Sequence, residues 1–354
     1  MKISSLQSEL SKKKIDIALF LNINFELNPN IFYFSGYKGS GLLAIPKNKP
    51  AFLIVSEMET TKARKYSKVK VISKPKDKRL FEILKENIAK PKTLGLEGNI
   101  FSISALKELK KNFKKIEIQD ITNSCLKIRE IKTKNEIQII KKGCNITDTI
   151  LQDCINKITR FKTEAQVKAY LEYKTKLQSA ELSFPTIVAS GKNSSMAHHL
   201  TEEDKLKNGF CVIDYGIRYK GYCTDITRTI YIGKPNKKEV QAYNLVLNAQ
   251  ESAIKQVKPK AKCSEIYQIA QKELKSYAKY FNHGLGHGIG ANIHELPNLF
   301  LESKDILKEN MVFTIEPGTY PKNFGIRIKD DVLVTKKGYE VLTKTTKKLI
   351  IKRR

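Results

Sequence analysis

Apolar positions change rhythm along this chain, and the change divides it in two. Up to about residue 125, apolar runs of strand composition (IDIALFL, IFYFSGY, GLLAIP and AFLIV) alternate with LFEILKENIAK and SALKELKKNF, whose composition is helical. That alternation predicts an α/β domain over residues 1–125. Thr133-x-x-Glu136 is a capping box that opens a helix, and Ile137, Ile140, Cys144, Leu151, Cys154 and Ile158 follow as an apolar stripe near the 3.6 period. A second box, Thr163-x-x-Gln166, predicts a helix to about Leu177. Strand composition dominates from Ser183, with two more helices expected near 238–256 and 264–281, and the block from MVFTIEPGTY to DDVLVT again reads as strands. A helix pair, a sheet, a second helix pair and more sheet predict a domain over residues 130–354, built as a duplicated α+β half packed against one central sheet.

Charged residues inside the apolar runs carry the chemistry. VIDYG and TDITRTIYIG read as two arms of a β-hairpin that turns around Tyr219–Gly221. Period-2 alternation sets Val212, Asp214 and Gly216 on one face of the first arm, and Asp225, Thr227 and Thr229 on one face of the second. Two acids facing each other across apolar strands repel, and each costs free energy unless something cationic lies between them. The pair points to a cation site. His287 lies in GHGIG, whose glycines let the backbone approach a site closely. Of the five histidines, three (His283, His287 and His294) fall within residues 283–294. Glu316 ends an apolar strand in TIEPG, fixed by the proline after it. Carboxylate and imidazole donors in this mixture suit Mn²⁺, Co²⁺, Fe²⁺ or Zn²⁺ rather than a thiolate-selected metal.

Composition removes several function classes. The chain has 354 residues, enough for two domains, and no stretch approaches the apolar length of a membrane span. Its start, MKISSLQSELSKKK, lacks the apolar core of a secretory signal. Six cysteines without a CxxC pair read as reduced core thiols of a cytoplasmic protein. The formal net charge of +29 comes from lysine spread over the whole chain, and no nucleic-acid motif accompanies it. Specific nucleic-acid binding is not expected, whereas non-specific attraction to polyanions at low salt is.

On these residues the chain resembles the creatinase/methionine-aminopeptidase, or pita-bread, superfamily, and within it the Xaa-Pro aminopeptidase and prolidase branch. NPNIFYFSGYKGSGLLAI and LGLEGNIFS are similar to the creatinase-type N-terminal domain, and LKIREIKTKNEIQIIKKG to the entry of the catalytic domain. SFPTIVASGKNSSMAHH, DYG, TDITRT, HGLGHGIGANIHELP and IEPGTY follow in family order. The resemblance implies an α+β protein, with a creatinase-like N-terminal domain followed by a pita-bread catalytic domain. It implies metal ligands at Asp214, Asp225, His287 and Glu316, with Asp225 bridging two ions. Catalytic roles are implied for His198, the first His of AHH, for His294, and for Glu316 as base toward water. His283 and Arg327 match substrate-contacting or supporting positions. The implied cofactor is a divalent metal (Mn, Co or Zn), as one or two ions. The implied reaction is metal-assisted hydrolysis of the Xaa-Pro bond in dipeptides or short proline-containing peptides, by a homodimer. Two departures are mild: Ala197 stands where the family has proline before His198, and Glu295-Leu296 where it has two glutamates.

A third departure matters more. The resemblance implies a glutamate bridging both ions within GIRIKDDVLVT, and this chain has Lys329 there. On a strand, the neighbouring Asp330 points to the opposite face. An ammonium about 4 Å from a dication costs on the order of 8 kcal/mol at an effective dielectric of about 20. Two ions beside an inward, charged lysine are therefore not expected. The amine could fill the vacated position and pair with Asp214, lose its proton, or turn out to solvent. Three outcomes stay open: a one-ion Xaa-Pro peptidase, a catalytically silent protein of this fold that binds peptides or partner proteins in the old cleft, and a two-ion site completed by other ligands. A metal-free amide or amidino hydrolase with His198 as base is a further alternative.

Overall fold

The structure, a computed structural model, describes residues 2–23 and 27–353. The chain forms two compact units, Met1–Ile128 and Arg129–Arg354. In the first, six strands make one mixed sheet in the order Lys70–Lys74, Phe52–Ser56, Gly41–Pro46, Ile17–Asn22, Thr93–Leu96 and Glu117–Asp120. The helices Leu80–Asn87 and Ile103–Asn112 present Leu84 and Leu109 to Leu19, Ile54 and Leu94 of that sheet.

IFYFSGY, expected as a strand, is instead part of the helix Pro29–Ser35. Its aromatic content suggests a strand, but the flanks decide. The Asn28 side chain accepts from the N–H groups of Asn30 and Ile31, and Pro29 occupies the first turn. Gly36 then ends the helix at φ 79°, where its N–H reaches the Phe32 carbonyl.

The second unit repeats one theme twice. Thr133 and Glu136 complete their capping box, opening the helix Lys134–Asn156. Ile150, Leu151, Cys154 and Ile158 pack with Val167 and Leu171 of the helix Glu164–Leu177 onto Ile213, Ile226 and Ile230. The second box forms by half: Thr163 caps the Gln166 N–H, while the Gln166 side chain accepts from Lys162, one residue early. In the other half, the helices Lys237–Lys255 and Cys263–Glu273 set Val246, Ala249, Ile266 and Ala270 against Phe313, Ile315, Val332 and Val334. The last expected helix stops early. Lys275, at φ 52°, leaves the helical region, and Lys275–Tyr280 continues as a 3₁₀ turn. No helix among the described residues is long and apolar enough to cross a membrane.

The single central sheet of expectation is divided, its two larger parts having four and five strands, with a three-stranded and a two-stranded sheet beside them. Four strands run in the order Ile351–Lys352, Ile226–Ile232, Gly209–Tyr215 and Ile187–Ser190. Five run Glu295–Leu299, Gly286–Gly288, Val312–Ile315, Asp330–Val334 and Tyr339–Val341. The two meet where Thr227 and Lys329 exchange backbone hydrogen bonds, at 3.1 and 3.4 Å. Arg228 locks this seam. Its guanidinium, buried with the side chain, donates to the carbonyls of Thr227 (2.9 Å), Lys329 (2.7 Å) and Thr345 (2.7 Å) and to Asp330 Oδ1 (2.6 Å).

Replacing Arg228 by Met would strand those carbonyl acceptors in the core and leave Asp330 with Lys347 as its remaining cationic partner. Such a loss costs about 3–5 kcal/mol, expected as a lower urea midpoint at an unchanged slope. A shift worth under about 1 kcal/mol would mean that water takes over the orphaned groups.

Candidate metal centre

The hairpin forms as expected and places its acids at the seam. Gly209–Tyr215 pairs antiparallel with Ile226–Ile232, so that Asp214 lies opposite Thr227, and the far end turns at Lys220 and Gly221 with φ of 49° and 93°. The Thr227 hydroxyl donates to Asp214 Oδ1 at 2.7 Å. Asp225 sits just before its strand, and its N–H donates to Asp331 Oδ2 at 3.0 Å. His287 is the middle of Gly286–Gly288. A Cβ on Gly286 would lie 1.9 Å from the Thr314 carbonyl oxygen, and one on Gly288 would lie 2.1 Å from that of Leu296. Only glycine allows this approach. Thr314 ties the pair beyond: its hydroxyl accepts from the His287 N–H (3.1 Å) and donates to Glu316 Oε1 (3.0 Å).

Lys329 points inward. Its Nζ lies 2.8 Å from Asp225 Oδ1, 3.1 Å from Glu316 Oε2 and 3.4 Å from Asp214 Oδ1, with the side chain 5% exposed. Of the three fates open to it, the amine has filled the vacated position. Burial alone would lower its pKa, but the three carboxylates reverse that and hold it well above the usual lysine value. Burial likewise pushes the Asp214 carboxyl up, and Lys329 and Arg327 more than compensate, leaving it below its ordinary value. Glu316, facing Lys329 and His287, is driven down further.

The remaining oxygens face His287. His287 Nε2 is 3.4 Å from Asp225 Oδ2 and 3.3 Å from Glu316 Oε1. Against its burial, these carboxylates raise the imidazole pKa to about 10. One oxygen of each acid and this nitrogen lie within 4.8 Å of one another. Four-coordinate ions with bonds of about 2.0–2.2 Å separate neighbouring donors by roughly 3.3–3.6 Å. Asp225, His287 and Glu316 therefore fit one divalent ion. The space among Asp214, Asp225 and Glu316 does not fit a second, because the ammonium is in it.

The other expected residues line or brace one cleft of about 670 Å³. His294 stacks edge-on to His287 with ring centres 4.3 Å apart, and burial plus the charges of His287 and Lys329 lower its pKa to about 4. His198 is exposed on the same cleft, while His199 is buried against Glu164 at 2.7 Å. His283 bonds the Gly284 carbonyl and the Tyr320 hydroxyl. Arg327 is committed within the protein: it donates to Asp214 Oδ2 (2.8 Å), the Ala197 carbonyl (3.0 Å) and Tyr320 (2.7 Å). Asp330 does face away, into the Arg228 pocket. Sequence reasoning missed Tyr320, which joins His283 to Arg327, and Thr314. Both lie in MVFTIEPGTY, beside Glu316, and only their spacing from that acid could have flagged them.

Comparison with known proteins gives the family. Residues 138–336 match metallopeptidase family M24, and residues 2–131 match the creatinase/prolidase N-terminal domain. The chain belongs to the M24 metallopeptidases, a family of hydrolases. It is 40% identical over 328 residues to an Xaa-Pro dipeptidase of Pyrococcus furiosus, a match covering 91% of this chain and 92% of that one. The prolidase structure from Pyrococcus horikoshii OT3 superposes with a TM-score of 0.91 at 36% identity, covering 99% of both chains. An X-Pro aminopeptidase from Thermotoga maritima MSB8 gives a TM-score of 0.88 at 32% identity, over 97% of this chain and 99% of that one.

Adjacent acids of one strand should respond oppositely to neutralisation. Asp330 is ionised against Arg228 and Lys347, so Asp330→Asn is expected to cost about 3 kcal/mol. Burial and the Asp225 charge push the Asp331 carboxyl well above its ordinary 3.8, and its Oδ1 lacks a hydrogen-bond partner. A carboxyl raised on folding makes stability fall as pH rises above its unfolded value. Asp331→Asn removes that slope, so chemical denaturation should show the variant gaining on the native chain from acid to neutral pH.

Proposed function

We propose that the chain is a metal-dependent peptidase that hydrolyses the Xaa-Pro bond of dipeptides or short peptides, with Asp225, His287 and Glu316 as ion ligands. What carries this reading is the convergence of those three donors on the floor of a cleft, within a chain whose family is hydrolytic. A divalent ion there would act as a Lewis acid on the scissile carbonyl and make water a better nucleophile. Phe184, Pro185, Ile187, Leu200, Ile293 and Phe300 line the cleft and offer apolar walls for a proline ring. His294, held neutral by its low pKa, can donate a hydrogen bond to the carbonyl oxygen as negative charge develops on it. His198, at the cleft surface, can do the same or take up a proton from water. Glu316 serves better as a ligand than as a base, since an oxygen held by an ammonium is weakly basic. His283 and Arg327 act by bracing Tyr320 and Asp214.

Six free, buried cysteines support a cytoplasmic location, and a homodimer is proposed on the family resemblance alone. A second reading, a catalytically silent peptide-binding protein, is favoured by one observation: Asp214, Asp225 and Glu316 already have cationic partners within the chain. Hydrolysis decides between them. With Mn²⁺ or Co²⁺, a Leu-Pro dipeptide should be cleaved, His294→Ala should lower kcat/KM roughly 10²–10⁴-fold, and His287→Ala should abolish turnover. Peptide binding without turnover at any metal concentration would select the silent reading. An Xaa-Pro tripeptide assayed alongside separates aminopeptidase from dipeptidase.

A further inference from the structure

An ammonium has three N–H bonds to give, and at Lys329 three different carboxylates face them. Asp225 and Glu316 each divide their oxygens: Oδ1 and Oε2 go to the lysine, and Oδ2 and Oε1 turn to His287. The lysine is not free to leave. Its backbone is bonded to Thr227 on the opposite sheet, Arg228 holds its carbonyl, and its Nζ lies 5.5 Å from the centre of the Phe184 ring.

We propose that Lys329 is a tethered cation that permanently fills one of two adjoining cation positions, so that the chain binds a single divalent ion, and that it turns Asp225 and Glu316 toward that ion. The inference rests on reading Asp225, His287 and Glu316 as ligands. Lys329 is a positioning residue here, since its ammonium is hydrogen-bonded to Asp225 and Asp214 and ion-paired with Glu316.

Charge supports a count of one. Three carboxylates face Lys329 and Arg327, which leaves a net charge of minus one around the space beside His287 once an ion has displaced the His287 proton. One dication brings the centre to plus one. A second would bring it to plus three inside a buried pocket, and would have to sit where Nζ now is. Removing the lysine charge reverses the situation. Asp214, Asp225 and Glu316 would then form a second oxygen-lined site of the kind that holds hard divalent ions.

The test counts ions without relying on turnover. The native chain, Lys329→Glu, Lys329→Gln and His287→Ala are equilibrated with Mn²⁺, desalted and analysed for metal per chain, with circular dichroism as the check on folding. Mn²⁺ electron paramagnetic resonance on the same samples separates an isolated ion from a spin-coupled pair. One ion in the native chain is expected, with the six-line spectrum of isolated Mn²⁺, and its loss in His287→Ala. Two coupled ions are expected in Lys329→Glu, and occupancy above one in Lys329→Gln at millimolar Mn²⁺. Two ions in the native chain would overturn the proposal, as would one ion in both folded lysine variants. No ion in the native chain but two in Lys329→Glu would also overturn it, since the lysine would then be blocking both positions. One bound ion without peptide hydrolysis would instead sink the peptidase reading and leave this inference standing.

Discussion

Three buried carboxylates cannot share a pocket unless a cation stands among them, and in this protein the cation belongs to the chain. Asp214, Asp225 and Glu316 converge from three separate strand ends, and Lys329 meets all three. Without it, desolvation and mutual repulsion would protonate the acids or splay them apart. With it, the centre is assembled before any metal arrives. The geometry at His287 follows, because a carboxylate that gives one oxygen to the lysine presents the other in a fixed direction.

The scaffold makes that meeting possible by alternation along one short stretch. Arg327, Lys329 and Asp331 share a face, where they contact Asp214, all three acids, and the Asp225 N–H respectively. Ile328 and Asp330 point the other way, one into the apolar core and the other to Arg228. The seam between the two sheets falls on Lys329 itself, so its backbone position is set from both sides. Each inward charge is thus backed by an outward anchor. A buried polar network of this kind is stable only when every member is satisfied, and the one orphan, Asp331 Oδ1, belongs to the acid that burial drives toward neutrality.

Much of this was legible in the sequence, for identifiable reasons. The hairpin acids could be read because period-2 alternation fixes facing, and the need for a cation between them followed from electrostatics alone. The helices of the catalytic half announced themselves through the Thr133 and Thr163 caps. What failed was local: the aromatic run at Ile31–Tyr37 has strand composition, and the Asn28 cap and Pro29 just before it override that composition and start a helix. The destination of Lys329 was open because a strand pattern tells that a side chain faces inward, not which partners wait there. Those partners come from residues more than a hundred positions earlier, Asp214 and Asp225, and no periodicity within GIRIKDDVLVT encodes them. Arg327 stayed open between substrate contact and support for the same reason, since its sequence neighbours do not name the four protein acceptors that engage it.

A tethered cation and a metal ion are not equivalent, and the difference bounds what this centre can do. An ammonium supplies charge and direction, but it neither accepts a ligand from substrate nor leaves Glu316 its basicity. A site built this way gains order in the absence of metal and gives up strength in the carboxylate best placed to take a proton from water. On the reading proposed above, proton transfer and oxyanion stabilisation fall to the imidazoles at the cleft, where burial, aided by the charges of His287 and Lys329, keeps His294 neutral. Lys329 thus bears on both sides of the proposed chemistry: it meets the ligand carboxylates on one side and adds to the burial that lowers the His294 pKa on the other.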